Sequence, residues 1–160
     1  MTSDAAICVR PGRSDDVESA ALMLQALVVA GKRTSPADPE FTRRKYFDDG
    51  DHQIAIFVAA SGAQILGLQV LKRAWPDNPY GIPAGWGLIG THVHPDAGGQ
   101  GIGRRLFAET LAAARKAGLD RIDAAIGRGN AEGEGYYAAM GFVLDREDAT
   151  RVHRVLDLTG

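Results

Sequence analysis

The chain has 160 residues, enough for a single domain over 1–160 that buries about two-thirds of the surface exposed by its unfolded form. Its composition is ordinary for a globular protein, and its net charge of −2 gives no reason to expect nucleic-acid or membrane binding. No apolar run is long enough for a transmembrane helix, the N-terminus does not resemble a signal peptide, and one cysteine allows no internal disulfide, so we expect a cytoplasmic protein.

The first third of the chain is predicted to form a strand and two helices. The strand covers 5–10 and includes Cys8 as a small core residue. A helix follows and ends at Gly31, with a buried face made of Val17, Ala21, Leu24 and Val28. A second, short helix is predicted over 39–49, with Phe41 and either Tyr46 or Phe47 turned inward.

The rest of the chain alternates strands with two further helices. Strands are predicted over 53–60, 64–72, 86–94, 120–126, 142–144 and 152–158, and helices from the glycine-rich turn to about Ala117 and over 130–140. Hairpins come first and strand–helix–strand units follow. This order predicts an α+β fold with a mixed, mostly antiparallel sheet of six to seven strands flanked by about four helices.

The most informative segment is the glycine-rich turn at 98–103, between the strand 86–94 and the next helix. Its glycines allow the backbone to fold tightly and to come close to a ligand. The free N–H groups of the first helical turn and the positive end of the helix dipole favour an anion there. Arg104 and Arg105 add positive charge. The segment therefore predicts a phosphate-binding turn.

Two other phosphate-binding motifs fit this turn less well. A P-loop would end in Gly-Lys-Ser/Thr, whereas this chain has Gly103, Arg104 and Arg105. A dinucleotide-binding Gly-x-Gly-x-x-Gly motif can start at Gly99 and Gly101, but Arg104 then stands in place of the third glycine. A turn without a ligand is the remaining alternative when this motif is considered alone.

Two motifs resemble those of the GCN5-related N-acetyltransferase (GNAT) superfamily. The family carries Val-x-Pro followed by Arg/Gln-x-x-Gly-x-Gly/Ala, and the corresponding residues here are 93–95 and 100–103. Gly98 stands where the family usually has Arg or Gln, which removes a side chain but no backbone donor.

The second motif is Asn, seven residues, Tyr and then Gly-Phe. Asn130, Tyr137, Gly141 and Phe142 reproduce it, with Gly133 in place of the usual alanine. The two motifs occur in the expected order between the expected elements.

This resemblance implies the GNAT fold and transfer of an acetyl group from acetyl-CoA to the amine of a small-molecule acceptor, by direct attack in a ternary complex. The turn would bind the pyrophosphate of acetyl-CoA, and the pantetheine arm would lie beside 92–94. The implied cofactor-binding residues are Val93, Gly98, Gly99, Gln100, Gly101, Ile102, Gly103, Arg104 and Asn130. Capping of the following helix is an equally good role for Asn130.

The resemblance also implies two catalytic residues. Tyr137 corresponds to the family's general acid, which protonates the departing thiolate, and the alternative is that it only packs beside Tyr136. For the general base, the strand 86–94 offers only two titratable groups, and we expect His92 ahead of His94, with a water-relayed base as the alternative. No cluster has metal-ligand spacing, so no metal is predicted.

The acceptor and the partners are less defined by the sequence. The loop 75–85 contains Trp75, Asp77, Asn78 and Tyr80 and either grips a small amine or serves as a rigid connector. The acidic residues Asp48, Asp49 and Asp51 either attract a cationic acceptor or form a solvated helix end. Dimers are common in the family, so a homodimer is one state that the resemblance allows. A non-catalytic acyl-CoA sensor or partner-binding module, a longer acyl group and an alcohol acceptor stay open as alternatives.

Overall fold

Seven strands form one sheet in the computed structural model, which describes residues 6–160. They are β1 (Cys8–Pro11), β2 (Gln53–Ser61), β3 (Gln64–Arg73), β4 (Gly87–Val93), β5 (Arg121–Gly127), β6 (Val143–Glu147) and β7 (Arg151–Asp157). Their order across the sheet is β1-β2-β3-β4-β5-β7-β6. Every neighbouring pair is antiparallel except β4 and β5, which run parallel. The predicted mixed, mostly antiparallel sheet is confirmed.

Four α-helices flank the sheet in the described part of the chain. They are α1 (Val17–Val29), α2 (Pro39–Thr42), α3 (Ile102–Lys116) and α4 (Ala131–Ala139). The helix predicted over 39–49 is shorter than expected, because α2 passes directly into a π-helical turn over Arg43–Phe47. Asp38 starts α2 by accepting a hydrogen bond from the Phe41 amide at 3.1 Å.

The helices lie on both faces of the sheet and produce three layers. Met23 and Leu24 of α1 pack with Val58, Leu68 and Val70 on one face. On the opposite face, α3 and α4 contribute to a second cluster that includes Phe107, Tyr137, Phe142, Leu71 and Ile122. Side chains alternate between the faces of a strand, so consecutive residues of β3 and β4 serve different layers.

Two sequence-based predictions of burial are wrong. Val28 is 42% exposed, because the buried stripe of α1 runs through Leu24 and Leu27 instead. Cys8 is exposed, because it begins β1 at the edge of the sheet and has a neighbouring strand on one side only. Ala5, the first residue of the predicted strand, lies outside the described residues.

The two parallel strands separate part of the way along their length. β4 and β5 pair only from Gly87 to Ile89, with Ile122 to Ala124 opposite, although β4 continues to Val93. The sheet therefore opens into a gap between the C-terminal halves of these strands. None of the helices in the described residues is long and apolar enough to cross a membrane.

Candidate active site

The glycine-rich turn joins the end of β4 to an uncapped N-terminus of α3. Gly101 occupies the N-cap position in a left-handed conformation, with φ of 73°, and supplies no side chain to cap the helix. The first helical hydrogen bond runs from the Arg105 amide to the Gly101 carbonyl at 3.1 Å. The amide groups of Ile102, Gly103 and Arg104 therefore have no helical acceptor, which is the arrangement that binds an anion.

Six of the nine predicted cofactor-binding residues fall into two groups, one exposed and one packed against the core. Gly98, Gly99, Gln100 and Arg104 are exposed at the turn, where their amides or side chain can reach a ligand. Val93 and Ile102 instead turn their side chains into a cluster with Ala59, Ala97 and Leu106. These two residues can offer only their backbone to a cofactor.

Gly103 allows a close approach by a neighbouring helix. A Cβ at this position would lie 2.5 Å from Cε1 of Tyr136, which extends from α4 across the first turn of α3. The Tyr136 hydroxyl donates to the Gly103 carbonyl at 2.7 Å. The second glycine of the motif thus holds α3 and α4 together, in addition to keeping its amide free.

A polar network runs from this turn to Tyr137. The Gly103 carbonyl can only accept, so Tyr136 donates to it and accepts from Gln69 Nε2 at 2.9 Å. The second hydrogen of the same Nε2 points to Thr91 Oγ1, also at 2.9 Å, and Thr91 Oγ1 lies 2.8 Å from the Tyr137 hydroxyl. Tyr136, predicted as a packing residue, therefore also makes hydrogen bonds.

Tyr137 is held firmly in a largely apolar environment. It is buried, and its ring packs edge-on against Tyr136 and Phe142 at centroid distances of 4.9 and 5.2 Å. Burial raises the pKa of Tyr137 far above its ordinary value, so the phenol keeps its proton at neutral pH. A neutral phenol is the form that can donate a proton or a hydrogen bond.

Asn130 adopts one of its two expected roles. Its side chain caps α4 by accepting a hydrogen bond from the Gly133 amide at 3.0 Å. A Cβ on residue 133 would come within 2.7 Å of Asn130 Nδ2, so the glycine at this position lets the cap sit close. A contact between Asn130 and a cofactor stays a prediction.

His92 points to the other face of the sheet and belongs to a second network. Arg33 donates to the Tyr46 hydroxyl at 3.0 Å, and the same hydroxyl lies 3.2 Å from His92 Nε2. Tyr46 therefore links the Arg33 guanidinium to the imidazole of His92. Burial, together with the charges of Arg33 and Lys45, lowers the pKa of His92 to about 3.

His94 lies beyond the end of β4 and takes part in the turn. Its Nδ1 accepts a hydrogen bond from the Asp96 amide at 3.1 Å. His92 and His94 are thus not brought together, and His92 lines a cavity.

This cavity has a volume of about 150 Å³ and lies where β4 and β5 separate. Its wall includes Lys45, Tyr46, Trp75, Tyr80, His92 and Asp123. The loop 75–85 lines the cavity and is also a braced connector, whereas a contact with an amine stays a prediction. Trp75 and Tyr80 line the cavity, whereas buried Asn78 braces the loop through hydrogen bonds to the backbone of Trp75, Tyr80 and Ile82. Asp77 is exposed.

The three acidic residues after the π-helical turn also have different roles. Asp49 pairs with the buried Lys72, with 2.7 Å between Oδ2 and Nζ. Asp48 and Asp51 are exposed.

Sequence reasoning missed a buried acid–base pair. Both carboxylate oxygens of Asp123 lie 3.1 Å from His153 Nδ1, and the two residues are 1% and 0% exposed. Burial raises the pKa of Asp123, against the opposing effect of His153. Polar residues inside apolar strands, as at Gln69 and Asp123, are the signal that identifies such groups.

Structural comparison places this fold among acetyltransferases. A GCN5-related N-acetyltransferase from Kribbella flavida matches with a TM-score of 0.76 and 20% identity, covering 98% of this chain and 100% of that one. The GNAT domain of S. lividans PAT matches with a TM-score of 0.75 and 22% identity, covering 94% and 89%. A GNAT family acetyltransferase from Brucella melitensis, solved in complex with acetyl-CoA, matches with a TM-score of 0.70 and 21% identity, covering 98% and 90%.

The family itself follows from a match to a sequence model. The model of the acetyltransferase (GNAT) family matches residues 23–142, so the chain belongs to this family. The predicted GNAT fold and family resemblance are confirmed, and acetyl transfer is the general activity. No curated protein sequence matches the chain.

Proposed function

We propose that residues 1–160 form a single N-acetyltransferase domain that moves an acetyl group from acetyl-CoA to the amine of a small-molecule acceptor. The observation that carries this proposal is the continuous network from the uncapped N-terminus of α3 to Tyr137. It joins a turn suited to a diphosphate with a neutral phenol beside the gap in the sheet.

The residues at the turn fit the diphosphate of acetyl-CoA. The free amides of Ile102, Gly103 and Arg104 supply hydrogen-bond donors at the positive end of the α3 dipole. The exposed Arg104 adds a charged donor. The separation of β4 and β5 leaves unpaired backbone groups after Ile89, which would accommodate the pantetheine arm. When bound, acetyl-CoA supplies an activated thioester.

Tyr137 is the proposed general acid. The acceptor nitrogen forms a bond to the acetyl carbon, the carbon–sulfur bond breaks, and the sulfur keeps the electron pair and receives the Tyr137 proton. The nitrogen releases one proton to solvent water as the amide forms, and Tyr137 regains its own proton from solvent. Thr91 accepts from Gln69 and can donate its own proton to the Tyr137 oxygen. That arrangement leaves the phenolic proton directed at the gap. Donation of this proton to the departing sulfur would increase the rate of acetyl transfer by ~10²–10⁴-fold.

His92 is the proposed catalytic residue on the acceptor side. Its Nε2 is engaged by Tyr46, and its pKa of about 3 makes it a weak base. We therefore assign it the role of orienting the acceptor amine by hydrogen bonding in the cavity. Its role as the general base, expected from the sequence, stays a prediction.

A non-catalytic acyl-CoA-binding protein is the alternative function. It is favoured by one observation, that β4 carries no carboxylate and its one cavity-lining histidine is a weak base. The intact Tyr137 network argues against it. Under this alternative, acetyl-CoA would bind and no amine would promote release of the thiol.

The test combines binding with turnover. Titration calorimetry with acetyl-CoA should show saturable binding, and Arg104→Met should weaken it by about tenfold, the loss expected for one charge-assisted hydrogen bond. Arg115→Met, at an exposed position in the last turn of α3, is the matched control and should leave affinity within twofold, roughly the scatter of a surface substitution.

Turnover is measured as acceptor-dependent thiol release with a panel of polyamines, amino acids, aminoglycosides and peptide N-termini. Acceptor-dependent release by any of them supports the enzyme. Absence of acetyl-CoA binding by folded protein would end the proposal.

A further inference from the structure

The cavity on the α1–α2 side of the sheet has unlike charges on its wall. Lys45 comes from the π-helical turn and Asp123 from β5, and both line the same space of about 150 Å³. A space of this size holds a group of about the dimensions of benzene. A second cavity of about 250 Å³ shares Lys45, Lys72, Trp75 and Tyr80 with it, so the volume limits the reacting end of the acceptor rather than the whole molecule.

Lys45 is a cation without an anionic partner in the structure described for 6–160. Its Nζ donates to the Tyr80 hydroxyl at 3.1 Å, and no carboxylate lies within ion-pairing distance. The other lysine on the cavity wall, Lys72, is already neutralised by Asp49. Lys45 thus keeps ammonium hydrogens available in a partly enclosed, aromatic environment, where an anion is bound more strongly than in water.

Arg33 strengthens the positive field around this part of the cavity. Its guanidinium donates to the Tyr46 hydroxyl and to the Pro36 carbonyl, and no carboxylate pairs with it in the region described. Burial is the main cause of the low pKa of His92, and these two cations lower it further. Both cations would attract an anionic group on a ligand.

Asp123 supplies the opposite charge close to the reacting groups. It pairs with Leu88, one position before the last pair of β4 and β5, beyond which the gap begins. Its only hydrogen-bond partner in the described structure is His153 Nδ1, which leaves carboxylate lone pairs for a ligand. Its charge also raises the pKa of Tyr137, so the carboxylate and the phenol are within electrostatic reach of each other.

We propose that the acceptor is a small amino acid or a similar zwitterion, whose ammonium group is bound by Asp123 and whose carboxylate is bound by Lys45. This inference rests on the proposed function, since it names the acceptor of the same reaction. Asp123 also takes one proton from the ammonium group, which leaves the nitrogen lone pair free to attack and a neutral carboxyl hydrogen-bonded near His153.

Every acceptor that satisfies this site carries a primary amine beside an anionic group. A phosphonate in place of the carboxylate satisfies Lys45 equally well, because both groups accept several hydrogen bonds. A polyamine does not, because a second ammonium would face Lys45 and Arg33.

The first experiment measures acceptor preference. The twenty L-amino acids and their primary carboxamides are assayed for thiol release with acetyl-CoA. Each pair shares one side chain and differs in the anionic group, and the amide's less basic amine works against the expected preference for the acid. We expect the best amino acid to exceed its amide in kcat/KM by about 10- to 100-fold, as for loss of a charged hydrogen-bond partner. Equal activity with acids and amides, or activity confined to other amines, would overturn the inference and leave the proposed function standing.

Two variants test which residue binds the carboxylate of the acceptor and which binds its ammonium group. Lys45→Met keeps the aliphatic stem and should reduce the acid-to-amide ratio to near one, whereas Lys116→Met at the exposed end of α3 should not change it. Asp123→Asn should lower kcat for acid and amide alike. An unchanged acid-to-amide ratio in Lys45→Met would refute the assignment.

Direct binding separates the two proposals. Calorimetric titration of the same acids and amides into the protein needs no acetyl transfer. If acetyl-CoA does not bind, the proposed function fails. Tighter binding of acids than amides would still support the cavity assignment, and no such preference would refute it.

Discussion

Removal of one oxygen atom from Tyr137 should affect chemistry much more than folding. Tyr137→Phe keeps the ring that packs against Tyr136 and Phe142. It loses the hydrogen bond to Thr91, but the Thr91 hydroxyl keeps its bond from Gln69. We therefore expect the free energy of unfolding to fall by only about 0.5–1.5 kcal/mol, the net value of one hydrogen bond.

The expected loss in turnover is larger. Without the phenolic proton, the departing sulfur must leave as a thiolate, and kcat should fall by ~10²–10⁴, which corresponds to about 2.7–5.4 kcal/mol. The turn at the N-terminus of α3 is unchanged, so the Kd of acetyl-CoA should stay within about twofold, a few tenths of a kcal/mol. The measurements are steady-state thiol release, titration calorimetry and urea unfolding.

Tyr136→Phe is the matched control for this prediction. Its hydroxyl bonds both Gln69 and the Gly103 carbonyl, so the variant should lose more stability than Tyr137→Phe and less turnover. A Tyr137→Phe enzyme that turns over several acceptors within threefold of the wild-type rate would refute the general-acid assignment. Equal losses of turnover in the two variants would refute the assignment of Tyr137 as the general acid and of Tyr136 as a residue that only positions it.

Two further predictions concern stability. Gly103→Ala should lower the free energy of unfolding by about 1–3 kcal/mol, because the new Cβ would press on Tyr136. Gly98→Ala is the control and should change this free energy by less than about 0.5 kcal/mol, because its Cβ would meet open space. The measurement is the urea midpoint of each variant, and equal effects of the two substitutions would contradict the packing argument. The hydrogen bond from Arg10, with a second from the Arg13 amide, holds the pKa of Asp16 below its ordinary value, so the stability that this carboxylate contributes is complete above about pH 4 and is lost as the pH falls through the lowered value. The difference in unfolding free energy between wild type and Asp16→Asn should accordingly be constant from pH 5 to 8 and shrink below pH 4, and a difference independent of pH down to 2 would contradict it.

The order of elements and the conformation of the glycine-rich turn were predictable because their signals are local. Apolar alternation marks each strand, and the glycines at 99 and 101 adopt the positive φ angles that other residues avoid. The wrong predictions concern burial, which the local sequence pattern does not determine at every position. Nothing in the sequence around Cys8 shows that its strand lies at the edge of the sheet, and helical spacing alone does not separate Val28 from Leu27.

The polar networks were not predictable because they depend on pairing between distant segments. Gln69 reaches Thr91 because the register of β3 and β4 places the two residues directly opposite each other. Asp123 meets His153 because β7 inserts beside β5, which brings residues 30 positions apart into contact. A single sequence shows polar residues inside apolar strands, but their partners appear only with the topology.

One strand separates the two halves of the proposed chemistry. Side chains alternate between the faces of a strand, so the adjacent residues Thr91 and His92 point to opposite layers. Thr91 contacts Tyr137 from α4, and His92 contacts Tyr46 from the π-helical turn after α2. The group proposed to donate a proton to sulfur and the cavity that would hold the amine both contact this one backbone segment, which sets their relative position. A one-residue shift in the register of β4 would exchange the two faces and remove both networks together. Both networks depend on the register of β4 more than on any single side chain. Conservative substitutions at Thr91 or His92 should therefore reduce turnover less than insertions between Gly90 and Val93.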